Sequence, residues 1–145
     1  MAKLILVTHL AATWTMVGLI WFVQIVHYPL FSFVESAIFR SYHENHTRLT
    51  QWVVGPPMLI ELFSAASLVF FKPALVSQLG AALGMILLAV VWASTALLQI
   101  PVHNVLGQSF SLAACRQLAV SNWVRTIGWS ARGLLSAWMI WGRIR

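Results

Sequence analysis

Four stretches of the chain stay apolar for about twenty residues, near 4–27, 53–71, 77–100 and 123–142. Each has the length a helix needs to cross a hydrocarbon core of ~30 Å. The gap around 72–76 is short, so the second and third stretches are expected to form a tight antiparallel hairpin. The other two gaps, roughly 28–52 and 101–122, are longer and fall on a common side. Within the first of them, SAIFRSYHENHTRLTQWVV repeats Ile38, Tyr42, Leu49 and Val53 at close to helical spacing, with Arg40, His43 and His46 off that stripe. This pattern predicts an amphipathic helix lying at a membrane interface. The Gly55, Pro56, Pro57 cluster then breaks or kinks the chain, and the next helix starts at a proline. The expected architecture is an all-α integral membrane protein: one domain over 1–145, a four-helix transmembrane bundle with an interfacial amphipathic helix between spans 1 and 2.

Composition supports a lipid solvent. The chain is 60% hydrophobic and 8% charged, with a mean hydropathy of +0.83, values far from those of a water-soluble domain of this size. The apolar run of MAKLILVTHLAATW continues to residue 26 without a convincing cleavage site, so it reads as a retained span rather than a signal peptide. A net charge of +6 in so apolar a chain points to anionic headgroups or an anionic ligand. Nucleic acid is excluded as a partner, since neither a basic run nor a soluble module carries one. Cys115 is the only cysteine, so no intrachain disulfide is available. Lys3, Lys72, Arg143 and Arg145 lie on the side of the termini, and Arg40, Arg48, Arg116 and Arg125 on the long-loop side. The density of charge in the short segments favours cytoplasmic termini in a bacterial inner membrane.

Against this background the polar residues inside the spans stand out, because a charge at membrane depth costs a few kcal/mol. Glu61 and Arg132 each lie nine or ten residues from the long-loop end of their helices, roughly 13–15 Å deep. A buried ion pair would relieve both charges, and such pairs serve either as packing devices or as parts of substrate and proton routes. Gln24 and His27 share a face three residues apart. Trp92, Ala96, Gln99 and His103 make a second stripe, and Arg125, Trp129, Arg132 and Ser136 a third. These stripes nominate Glu61 and Arg132 as catalytic, and Arg125, Gln24, Gln99, Trp129 and Asn104 as substrate-binding.

Four of the five histidines, His27, His43, His46 and His103, gather at the long-loop face. His9 is five turns from His27 on the same helix, about 27 Å away, and belongs elsewhere. Taken singly, each is more often an interfacial hydrogen-bonding residue than a ligand. Four together, two of them as His43-x-x-His46, suit a transition metal, with iron or copper favoured, zinc possible and haem an alternative. Arg40, Arg48 and Arg125 are available to an anionic group at the same face. Gly80-x-x-x-Gly84 and Ala89-x-x-x-Ala93 are close-approach spacings for packed helices. No Walker loop, dinucleotide fingerprint or serine elbow is present, which removes nucleotide chemistry and acyl transfer.

The segments LILVTHLAATW, VHYPLF, HENHTRL and PPM, all in the first half of the chain, distantly resemble those of HemJ-type protoporphyrinogen oxidases and CopD-like copper-resistance proteins. That resemblance implies a small membrane bundle with redox or metal chemistry, and a first-span histidine near the position of His9. The order of residues in VHYPLF departs from the HemJ pattern, and His43, His46 and His103 have no counterpart in it. The expected function is a His-ligated metal-dependent membrane oxidoreductase acting on a lipophilic small molecule, with Gln24 or Gln99 orienting the ligands. A metal-ion or solute transporter, which would need a homo-oligomer to enclose a path, and a non-catalytic subunit are the alternatives.

Overall fold

The computed structural model of the chain describes residues 2–71 and 76–144, the side chains of 142–144 excepted. All its regular elements are helical. Helix α1 runs Ala2–Phe33, α2 Ser36–Phe70, α3 Gln78–Gln108, α4 Leu112–Ser121 and α5 Trp123–Ile144. Helices α1, α2 and α3 are long and apolar enough to cross a membrane; α5 is of spanning length but is not among them. Its sequence carries Arg125, Arg132 and Arg143 in 22 residues. Helices α1, α2, α3 and α5 pack side by side, and α4 caps the end at which α1 and α3 finish. The expected tight turn lies mostly in 72–75, outside the described residues. Lys72, Arg145 and the Arg143 side chain, on which the orientation argument leans, lie outside them too.

Two features differ from the expected layout. The segment 36–52 is not a separate interfacial helix: α2 is one helix of 35 residues that runs through Pro56 and Pro57. At 1.5 Å per residue it is about 52 Å long. A proline removes only the bond from its own nitrogen to the carbonyl four residues back, and intact hydrogen bonding on either side carries the helix across. The amphipathic stripe is also inverted. Ile38, Leu49 and Val53 are 56–58% exposed, while His43 is 3% exposed. The second long connection is helical as well, filled by the end of α3 and by α4.

Two wide turns interrupt the regular helix. Residues Val23–His27 and Thr95–Gln99 form π turns, closed by bonds from the Tyr28 N–H to Val23 O and from the Ile100 N–H to Thr95 O. Both end two residues before a proline, Pro29 or Pro101. Neither proline can donate to the carbonyl four residues back, and its ring crowds that carbonyl, so the preceding turn widens to take the hydrogen bond five residues back.

Three apolar clusters hold the bundle. Met16, Ile20, Met58, Val91 and Trp129 fill its middle. Leu68, Val76, Ala81 and Met139 fill the end near the α2–α3 connection. Tyr28, Phe31, Phe39, Val102, Leu106, Cys115 and Leu118 fill the end capped by α4. Small residues set the close approach of α3 to α5: a Cβ on Gly128 would lie 2.6 Å from Val91 Cγ2, and one on Gly80 would lie 3.0 Å from Met139 Cγ. Ala89 and Ala93, in contrast, face outward and set no interhelical spacing.

Candidate functional site

At the α4-capped end the four histidines come together from three helices. His27 at the end of the first π turn approaches His46 of α2, with Nε2 and Nδ1 2.8 Å apart. His43, one turn earlier on α2, has its Nε2 3.0 Å from His103 Nδ1 on α3. The two pairs stack: ring centroids are 5.7 Å apart for His46 and His103, and 6.1 Å for His43 and His46. Phe31 and Phe39, both fully buried, wall the group, with Phe31 5.0 Å from His46 and Phe39 6.0 Å from His43 between centroids. The Tyr28 hydroxyl meets the remaining ring nitrogen of His103 at 3.2 Å. Thr50 Oγ1 lies 3.0 Å from His46 Nδ1. Because ring nitrogens face each other in pairs, each pair shares one proton. Among the described residues, no group of three or more His, Cys, Asp or Glu side chains is arranged as it stands to hold a metal ion.

A second polar centre lies in the middle of the bundle. The Glu61–Arg132 pair is formed, with Arg132 Nε donating to Glu61 Oε1 at 2.9 Å and both side chains buried. Thr13 Oγ1 donates to the same oxygen at 2.8 Å, and Trp129 Nε1 donates to Oε2 at 2.9 Å. Arg132 Nη1 donates to Gly84 O. Arg132 Nη2 has no partner, and Arg132 lines a cavity of about 10 Å³ with His9 and Ser136, room for one water molecule. His9, which sequence reasoning left unassigned, belongs here. Ser64 Oγ donates to Glu61 O, so His9 Nδ1–H donates to Ser64 Oγ at 3.0 Å. The signal was present in the spacing: His9 and Thr13 are four apart on α1, Glu61 and Ser64 three apart on α2, and the two faces meet.

The glutamines do not orient the histidines. Gln24 Oε1 accepts from Asn122 Nδ2 at 3.0 Å and from Thr126 Oγ1 at 3.1 Å, while its Nε2 donates to Ala119 O. Gln99 accepts from Ser94 Oγ and donates to Ser121 Oγ. At the first pair the widened turn explains the separation, because it contains both residues: Gln24 turns toward α4 and α5 while His27 turns toward α2. Asn104 is exposed and touches neither centre in any bond found here. Trp129 and Arg125 stand between the centres, with the Arg125 guanidinium carbon 5.3 Å from the Trp129 ring centroid.

No protein-family model, curated protein or solved structure matches this chain. The functional reading therefore rests on the chemistry of the two centres. The cluster offers four nitrogen donors in an aromatic enclosure, and the Glu61 centre offers a desolvated ion pair with one unused guanidinium NH₂.

Proposed function

We propose that the chain is an integral membrane protein, with α5 as a fourth span, and that His27, His43, His46 and His103 hold a transition metal used to oxidise or reduce a lipophilic small molecule. Membrane residence is supported by inverted burial: His9, Thr13, Gln24, Glu61, Gln99, Asn122 and Arg132 are inside, while Phe63, Phe70, Leu97 and Ile127 are among the many large apolar side chains outside. Lipid is the solvent in which that arrangement costs least. The density of positive charge in the short terminal segments favours a bacterial inner membrane with cytoplasmic termini.

The observation that carries the metal reading is the spacing of the imidazoles. Nitrogens bound at ~2.0–2.1 Å around a tetrahedral ion stand about 3.3 Å apart, and their ring centroids about 5 Å apart. Here the facing nitrogens are 2.8 and 3.0 Å apart. The ring centroids are separated by 4.5 Å for His27 and His46 and by 5.3 Å for His43 and His103. Binding one ion would move each shared proton to the outer nitrogen of its ring and draw the two pairs together, since His46 and His103 stand 5.7 Å apart and His43 and His46 6.1 Å apart between centroids. The same ring contacts favour a bare ion over haem, since a macrocycle would have to separate them. Iron or copper fits imidazole donors and would supply the electron sink that side chains lack. Tyr28 and Thr50 would fix ring orientation, and the Glu61–Arg132 pair would bind or protonate substrate beneath.

Elemental mass spectrometry of the detergent-purified chain tests the reading. About one iron or copper per chain is expected, falling below about a tenth in His43→Ala and in His103→Ala. A protein that stays empty after reconstitution with iron, copper and zinc refutes it, and stoichiometric zinc would turn it toward a structural or hydrolytic site.

A further inference from the structure

Arg125 presents an electrostatic problem that the chain does not solve internally. It is 7% exposed and its Nε is buried without a partner. The sequence holds three acidic residues, Glu35, Glu44 and Glu61. Glu61 is bound to Arg132 and Glu44 to Arg40, and Glu35 is exposed at the start of α2. Among the described residues no carboxylate is paired with Arg125. A buried guanidinium without a counter-ion is among the costliest groups a fold can contain. Its face is occupied by Trp129 and the neutral Tyr28 hydroxyl hydrogen-bonds it, so what it still has to offer is the Nε–H side of its edge, a donor suited to a carboxylate or phenolate.

A second orphan lies beside it. Asn122 Oδ1 is buried without a partner, although the amide's nitrogen is engaged with Gln24. Asn122 and Arg125 are three residues apart at the start of α5, a separation that places side chains on one face. A buried unused donor and a buried unused acceptor on the same face are rare in folded proteins, and together they describe a ligand's complement. Tyr28, which hydrogen-bonds Arg125, separates it from a cleft of about 250 Å³ that Tyr28 lines with Pro29, Ser32, Cys115 and Arg116 and that neither Arg125 nor Asn122 lines. That volume is below the range of drug-sized pockets and suits one substituted ring.

We infer that Arg125 and Asn122 form a binding site for a small aromatic anion that carries a hydroxyl group next to its charge, entering by the Tyr28–Arg116 cleft. The anion accepts from the Arg125 edge and its hydroxyl donates to Asn122 Oδ1, while Trp129 and Tyr28 supply the aromatic surroundings. The site stands on charge and orphaned atoms, independently of whether the histidines hold a metal.

Equilibrium dialysis of the purified full chain with salicylate, benzoate and benzamide tests the inference. Saturable binding of one salicylate per chain is expected, with benzoate weaker and the neutral benzamide at least roughly thirtyfold weaker than benzoate. Arg125→Gln should lose salicylate binding by about the same factor, with metal content unchanged, while the distant Arg48→Gln should bind as the unmodified protein does. If Arg125→Gln does not fold, the comparison of benzoate with benzamide on the unmodified protein still decides. Failure of the unmodified protein to bind salicylate, equal binding of benzamide and benzoate, or undiminished binding by a folded Arg125→Gln would each overturn the site.

Discussion

Replacing Glu61 by glutamine keeps the shape of the side chain and removes its charge. The carboxylate accepts three hydrogen bonds, two on Oε1 from Thr13 and Arg132 and one on Oε2 from Trp129. A glutamine oxygen can serve one side only. If it faces Thr13 and Arg132, its NH₂ confronts the Trp129 N–H, donor against donor; if it turns, Arg132 loses its acceptor. In either rotamer the Arg132 cation, 2% exposed, is left without a counter-ion. Breaking a buried pair in this way costs ~3–5 kcal/mol. For a chain of this size that is a fall in Tm of roughly 6–20 °C. The assay is thermal unfolding in a fixed detergent, read by near-UV circular dichroism from the buried tryptophan. Arg132→Met should cost a similar amount, because it leaves Glu61 charged and buried. The double variant, with neither charge remaining, should be more stable than the sum of the single losses predicts, by at least ~2 kcal/mol. A single-variant loss below about 1 kcal/mol, or additive losses, would show that the pair is not a desolvated charge pair and would remove the basis for a role in substrate or proton handling.

Other consequences of the geometry are open to measurement. Tyr28→Phe removes the hydroxyl on the outer nitrogen of His103 and should weaken metal affinity about 10–100-fold in chelator competition while leaving the fold intact. An unchanged affinity would separate Tyr28 from the cluster. Metal retention should fall only in acid well below the range in which a free imidazole titrates, because bound imidazoles are neutral, their burial disfavours the protonated form, and protons compete for the same nitrogens; retention that persists in acid strong enough to protonate every imidazole would contradict imidazole ligation. Gly128→Ala should destabilise by about 1–3 kcal/mol, since its Cβ would lie 2.6 Å from Val91. Val91→Ala should recover part of that loss, whereas Gly55→Ala, with nothing within 4 Å, should be neutral or stabilising by up to ~1 kcal/mol. Equal effects at the two glycines would refute the close approach of α3 to α5.

The parts of the bundle that were legible in the sequence are those set by helical period and depth. Glu61 and Arg132 stand at equal distances from the same end of their helices, and two charges that cannot reach water find each other. Arg125, Trp129, Arg132 and Ser136 fall on one stripe and are all buried. The four histidines follow the same logic, since each ends a helix or lies one turn from another on the capped side. What was not legible depends on local departures from that period. The glutamines were assigned to the histidines by counting 3.6 residues per turn through Val23–His27 and Thr95–Gln99, where the turns are wider. The cue was available in Pro29 and Pro101, two residues beyond each wide turn. Pro56 and Pro57 carry the same residue type with the opposite outcome, a continuous helix. A proline shows which hydrogen bond is missing; it does not show whether the helix ends, widens or continues. The inversion of 36–52 has a different cause. An amphipathic stripe identifies two faces, and which one turns inward depends on what is already inside, here the imidazoles of His27 and His103.

The two wide turns connect the local chemistry of proline to the separation of the two centres. In a regular helix Gln24 and His27 would lie on one face and compete for the same neighbours. The widened turn lets Gln24 bind Asn122, between α4 and α5, and Thr126 on α5 while His27 reaches His46 on α2. The second turn sets the rotation of the helix that follows it: Gln99, its last residue, bonds to Ser121, and His103, one regular turn further on, to His43. Each glutamine thus ties its helix to the α4–α5 segment, and each histidine is fixed on the far side of that tie. This makes the position of the rings depend on the turns. Replacing Pro101 by alanine restores a donor to the chain, so the helix can return to its regular period and rotate His103 away from His43. Helix content should be unchanged, while the cluster loses one of its two nitrogen pairs and metal occupancy falls with it. A Pro101→Ala protein with full occupancy would mean that packing against Tyr28 and His46, rather than the wide turn, sets the position of His103.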